Sequence, residues 1–171
     1  MSDWKLQTSE RIDRISVATG HLASWLTLLM VVVVFVIVVM RYVFDSGMIW
    51  LQESLTWMHA VVFMLGAAYT LQQEEHVRVD IFYRNMSERR RAVVNLAGVF
   101  LFVFPMCAFL AWSAWGYVSG SWSIAEVSRN AGGLPYPFVP LLKTVLIVMP
   151  MAVALQGASL VLRSVARLRE T

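Results

Sequence analysis

Four stretches of this chain carry no charged residue and are mostly apolar: residues 15–40, 54–73, 92–125 and 144–162. About 20 apolar residues cross a bilayer as an α-helix, so the pattern predicts four membrane spans, near residues 21–44, 53–73, 91–118 and 138–163. Residues 31–39 are almost purely β-branched, as in a buried strand. In lipid every backbone amide must be satisfied within the segment, which favours a helix there. Before the first span, Trp4, Thr8, Ile12 and Ile15 recur at helical spacing, with Lys5, Glu10, Arg11, Asp13 and Arg14 between them. This predicts a short amphipathic helix on the membrane surface, with a frayed charged tail as the alternative. The fold class expected is all-α: an integral membrane four-helix bundle with an N-terminal interfacial helix, forming one transmembrane domain over residues 1–171.

The connections refine this picture. Asp45, Ser46 and Gly47 make a short turn, so spans 1 and 2 should form an antiparallel hairpin. Span 2 is the least oily, with Thr56, His59, Thr70 and Gln72 among the small residues Ala60, Gly66, Ala67 and Ala68. Small residues permit close backbone approach and hydroxyls bond across helices, so span 2 is expected to face protein. Ser87 followed by Glu88 reads as a helix start. The third run would reach about 50 Å against a hydrocarbon core of roughly 30 Å. Its Trp112, Trp115, Tyr117 and Trp122 end therefore lies at or past the outer interface, level with Tyr42, Trp50, Trp57 and Tyr136. Gly132, Gly133, Leu134, Pro135, Tyr136 and Pro137 break regular structure there. Pro137 or Pro140 can open span 4, and Pro150 should kink it mildly.

Charge sets the orientation. Eleven of the 14 Lys and Arg residues fall in the N-terminal tail, the middle connection and the C-terminal tail; only Arg41, Arg129 and Lys143 fall on the other side. The positive-inside bias puts both termini in the cytoplasm. With 171 residues, 58% of them hydrophobic, and a mean hydropathy of +0.64, four spans leave no room for a separate soluble domain. The net charge of +3 comes from residues flanking apolar spans, so membrane lipid phosphates are the expected partners and nucleic acid is not. Cys107 is the single cysteine and falls within span 3, so no internal disulfide is possible. The first apolar run is too long for a signal-peptide core, and no cleavage is expected.

Charged groups within a bilayer are functional candidates by default. Arg41, Glu53 and Lys143 all lie near the outer interface, where snorkelling relieves their cost. Either Glu53 pairs with Arg41 or Lys143 and fixes how spans 1, 2 and 4 meet, or each residue only marks a boundary. His21, His59 and His76 lie at depths that do not supply a mid-membrane haem pair. A small proton-coupled exchanger would need an acid near the midplane, and Glu53 is too shallow. Gln156 and Asn95 read as interhelical hydrogen bonders. The sequence has no phosphate loop, metal-ligand spacing or nucleophile and base pair, so neither enzyme activity nor a cofactor or metal is expected. A stand-alone homodimeric transporter and a haem or redox subunit stay open as rivals.

Arg41, Trp50 and Glu53, Gly66-Ala67, and the run His76-Val77-Arg78-Val79-Asp80 resemble the small membrane subunit of TRAP (tripartite ATP-independent periplasmic) transporters. Trp122, Glu126, Ser128, Gly132-Gly133-Leu134-Pro135, Lys143, Gln156 and Arg163 look similar to the branch labelled for mannitol, chloroaromatic or keto-acid substrates. The resemblance implies a scaffold beside a large twelve-span subunit that moves an organic anion inward with sodium, after a periplasmic binding protein has captured it. It implies that Arg41, Trp50, Glu53, Gly66, His76, Asp80, Lys143 and Gln156 stabilise the fold or the subunit contact. Trp122, Glu126, Arg129 and Tyr136 would then be positioned to touch the binding protein.

Overall fold

The computed structural model describes residues 3–73 and 86–170; His76 and Asp80 lie outside them. The described residues form five helices: α1 Asp3–Tyr42, α2 Ile49–Gln72, α3 Glu88–Gly98, α4 Phe104–Ser123 and α5 Phe138–Glu170. A π turn, Val99–Val103, joins α3 to α4. Counting α3 and α4 as one continuous crossing, there are four helices long and apolar enough to span a membrane. The hub is α5, which packs against α1, α2, α3, the π turn and α4.

The amphipathic segment is helical, but it is no separate interfacial element. It runs into the first span as one 40-residue helix, about 60 Å long at ~1.5 Å per residue. Ser9 and Ser16 of this segment are buried against the bundle, while Arg11, Arg14 and Ile15 are exposed. Within the span, Ser24 and Thr27 donate to the carbonyls of Gly20 and Ala23 one turn back, at 3.0 and 2.9 Å. Their hydroxyls are thereby satisfied without leaving the helix.

The α1–α2 hairpin closes through Asp45, held in the left-handed region at φ 49°, while the Ser46 amide donates to the Met40 carbonyl at 2.9 Å. Asp is one of the few residues that tolerates this conformation. At the far end of the hairpin Gly20 is packed under Tyr69, whose ring carbons would lie within 3 Å of any added Cβ. Gly66 behaves differently from the close-approach role expected for it: a Cβ there would meet nothing within 4 Å. One face of α2 does pack on protein, through Met58, Val61, Ala68 and Leu71, while Phe63 is exposed.

Pro105 explains the π turn. Having no N–H and a ring that crowds the preceding turn, it opens α4 at a point where the Phe104 amide reaches back five residues to the Val99 carbonyl. The extra residue turns Val99 and Val103 onto α5, where Gly157 leaves room: an added Cβ would sit 3.3 Å from a methyl of each. Along α5, Pro140 and Pro150 are both fully buried, and Pro150 lies inside the helix.

Two substitutions separate crowded from open glycines. Gly20→Leu is expected to destabilise the protein by roughly 1–3 kcal/mol through overpacking against Tyr69. Gly66→Ala should be neutral or stabilising by up to about 1 kcal/mol, since it only removes unfolded-state freedom. Thermal unfolding of the detergent-purified protein checks both; equal effects would refute the packing assigned to Gly20.

Candidate functional site

The end of the bundle that carries the α1–α2 and α4–α5 connections, called outer for its place in the sequence-based orientation, is built by how α4 stops. The amide of Ala125 donates to Trp122 O at 3.2 Å and that of Glu126 to Ser121 O at 3.1 Å, with Ala125 at φ 46°. This is a Schellman ending with alanine in the left-handed position. Beyond it Asn130 to Gly133 form a turn closed by Gly133 N to Asn130 O at 3.0 Å, with Gly132 at φ 76° in its third place, as a type II turn requires. The loop then folds back, Ser128 N donating to Leu134 O at 3.2 Å.

Glu53, in the second turn of α2, holds this loop. Its Oε1 accepts from Ser128 Oγ at 2.5 Å and from Asn130 Nδ2 at 2.7 Å, and its Oε2 accepts from the Leu134 amide at 2.7 Å. An added Cβ at Gly133 would overlap Ser128 Oγ and crowd the Glu53 carboxylate, so the cage closes only with glycine there. The pairing expected from sequence, Glu53 with Arg41 or Lys143, is not formed. Neutral donors of the loop satisfy both carboxylate oxygens, Arg41 is exposed with no ion pair among the described residues, and Lys143 pairs with Glu126.

That second pair ties the end of α4 to the start of α5. Lys143 Nζ donates to Glu126 Oε2 and sits 3.9 Å from the centre of the Tyr117 ring, a cation–π contact. The hydrogen bond from Lys143, with its charge, lowers the Glu126 carboxyl below the usual carboxylate range. Trp122 Nε1 donates to Thr144 Oγ1 at 2.9 Å, and its ring meets Tyr136 edge-on at 6.3 Å. Trp57 Nε1 donates to the Phe138 carbonyl at 3.1 Å. Glu53, Trp57, Tyr117, Glu126, Phe138 and Lys143 border an open cleft of about 600 Å³, with Arg129, Asn130 and Leu142 also in its walls. Arg129, Trp50 and Tyr136 are exposed at this end.

A second polar cluster lies at the opposite end; Gln156, read from sequence as an interhelical hydrogen bonder, belongs to it, while its partners on α1 were not foreseen. Gln156 Nε2 and Ser159 Oγ each donate to Asp13 Oδ1 at 2.9 Å. Ser16 Oγ donates to Gln156 Oε1 at 2.8 Å, and the Ser9 and Ser159 hydroxyls share a hydrogen bond of 2.7 Å. Arg163 donates through Nε to Ser9 Oγ at 2.9 Å and forms an ion pair with Asp13. The signal was there as spacing: Ser9, Asp13 and Ser16 share one face of α1, and Gln156, Ser159 and Arg163 share one face of α5. The apolar positions Ile12 and Ile15 competed with it.

Among the other residues singled out by sequence, His21 and His59 are both exposed. They sit on separate helices, α1 and α2. His76 and Asp80 fall outside the described residues. Gly66 contributes through its backbone, accepting from Thr70 Oγ1 at 2.9 Å.

Asp13→Ala leaves Arg163 without its counter-ion in a half-buried site and should cost about 2 kcal/mol. The double variant with Arg163→Ala should cost less than the sum of the singles in thermal unfolding; strict additivity would disprove the coupling. At the outer end, Glu53→Gln aims an amide at the Leu134 N–H or loses the Ser128 and Asn130 bonds, so limited proteolysis between residues 124 and 137 should quicken several-fold. Because the folded-state pKa of Glu126 is lowered, its contribution is present at neutral pH and is lost as pH falls through and below the ordinary carboxylate range. Protection of the same loop should fall over that window in the native protein and fall by less in Glu126→Gln, where only the Glu53 carboxylate is left to be protonated.

The comparisons with known proteins bear on what these two clusters serve. No curated protein and no solved structure matches the chain. Residues 30–170, which hold the last part of α1, all of α2 to α5 and the whole Glu53 cage but not Ser9, Asp13 or Ser16, match the family described as Tripartite ATP-independent periplasmic transporters, DctQ component. A multi-pass helical membrane protein of this length, matched over nearly all of its spans, belongs to that family and is the small permease component of a TRAP transporter.

Proposed function

We propose that the chain is a stationary scaffold: one transmembrane domain in the bacterial inner membrane, both termini cytoplasmic, holding a large membrane subunit laterally. That large subunit carries an organic anion inward with sodium, and a periplasmic binding protein delivers the anion. The chain itself performs no chemistry and moves no cargo. The observation that carries this reading is the double clamp. At one end Glu53 pins the α4–α5 loop to α2, and at the other Asp13 and Arg163 pin α1 to α5. Helices fixed to a common hub at both ends form a rigid body, which is what a stator beside a moving element requires.

The distribution of charge supports the orientation, since Lys and Arg crowd the tails and the middle connection. With that orientation the Glu53 cage faces the periplasm. Trp122, Glu126, Arg129 and Tyr136 then stand where a binding protein would approach, while Arg41, Trp50, His76 and Asp80 are assigned to the contact with the large subunit.

Co-expression with the large subunit, followed by purification through a tag on this chain in mild detergent, should recover both. Glu53→Ala should lower the recovered partner and the uptake measured in cells. Solute uptake by this chain alone in liposomes would overturn the scaffold reading, as would failure to retain the large subunit.

A further inference from the structure

The helix α3 presents to α5 a face that includes the buried Ala92. Another of its faces carries Arg89, Arg90, Val93 and Val94, which with Met86 line a shallow groove of about 320 Å³. The arginines precede the valines by one turn, so charged and apolar positions follow one another along a single helix face. Val93 and Val94 are 52% and 45% exposed.

Among the described residues no acid pairs with the charge in this groove. Glu88, the neighbouring acid, is engaged by Arg91 at 3.2 Å and approached by Arg167 at 3.9 Å, whereas Arg89 and Arg90 make no ion pair among the described residues. Ser87 does not cap the helix with its side chain, so the amide end of α3 adds its own positive potential.

We propose that this groove binds an anionic phospholipid, with its phosphate on the Arg89 and Arg90 guanidinium groups and an acyl chain along Val93, Val94 and Met86. Two forked donors match a phosphate, and the apolar floor leads from them along the helix that becomes span 3. A soluble phosphate would gain nothing from the valines. A zwitterionic lipid would set its ammonium group against two arginines. That the lipid belongs to the cytoplasmic leaflet rests on the orientation proposed above; the binding does not.

Native mass spectrometry of the full chain in detergent, titrated with phosphatidylglycerol or with phosphatidylcholine of the same acyl chains, tests this. Phosphatidylglycerol should be held more tightly. The double variant Arg89→Gln/Arg90→Gln should bind it about 25-fold more weakly, at roughly fivefold for each arginine removed. Arg89→Lys/Arg90→Lys should retain most of the preference. Arg11→Gln/Arg14→Gln, which removes the same charge from α1, should change nothing, and glycerol phosphate should not compete. No preference for phosphatidylglycerol, an equal loss in the Arg11 and Arg14 variant, or displacement by glycerol phosphate would each overturn the proposal. If the double glutamine variant loses helicity, Val94→Gln keeps both arginines and should weaken the long-chain lipid but not a short-chain analogue; an unchanged long-chain affinity refutes the groove. The isolated chain suffices for every arm, so the outcome is independent of whether a large subunit is recovered.

Discussion

A polar group enclosed between packed helices must find its partner in protein, because an unmatched group shielded from water costs a few kcal/mol. This requirement shapes both ends of α5. Asp13 could not sit against α5 unless Gln156, Ser159 and Arg163 supplied donors on the facing turns. Glu53 is satisfied in the same way at the other end, by two side chains and one amide of a loop about 75 to 81 residues further along the chain. Between the two clusters α5 contacts its neighbours mostly through aliphatic groups, which fix no register on their own. The directional bonds at the ends therefore decide where each helix stops sliding along the next.

The apolar middle is organised by backbone irregularity instead. Pro105 forces an extra residue into the turn before α4, and the displaced Val99 and Val103 fit only because α5 offers Gly157 at that level. The opposing helix has given up a side chain where the first helix has gained a residue. Length adds a further constraint. At ~1.5 Å per residue α1 is about twice as long as a hydrocarbon core is thick, so part of it extends beyond the core or the helix tilts. Its Asp13 end meets α5 where α5 too has gained polar residues, so the two excess lengths cover one another.

Much of the architecture was legible in the sequence because it follows from composition over long windows. Uncharged runs of membrane length, the short Asp45 turn and the aromatic cluster around Trp122 all survive averaging. What was not legible depended on single facing residues. A carboxylate such as Asp13, flanked by Glu10, Arg11 and Arg14, reads as solvated, and nothing local reveals that serines one turn to either side point at another helix. For Glu53 the partners were not legible, since cations are the obvious mates for an acid while Ser128, Asn130 and a backbone amide carry no charge signature. Gly66 and Gly20 show the same limit, as the composition is identical and only the opposing Tyr69 makes one of them crowded. The function was legible through resemblance. The residues by themselves left a lone transporter and a redox subunit open.

With its polar groups committed at the two ends, the chain offers a lateral surface that is apolar and uneven. In lipid, burying more apolar surface against a partner gains little, because acyl chains already solvate it, and association rests on close packing. Shape therefore matters more than area. The relief on this molecule is set by α4: Trp112 and Trp115 stand out beside a groove of about 680 Å³ against Ile147 and Met151, and Met106 and Leu110 border another of about 620 Å³ against Met149 and Val153. The second groove is also lined by Leu101, Phe102 and Val103 of the π turn. The same irregularity that packs the core thus also shapes the outside, and a rigid frame is what keeps that shape constant enough to be fitted by a neighbour.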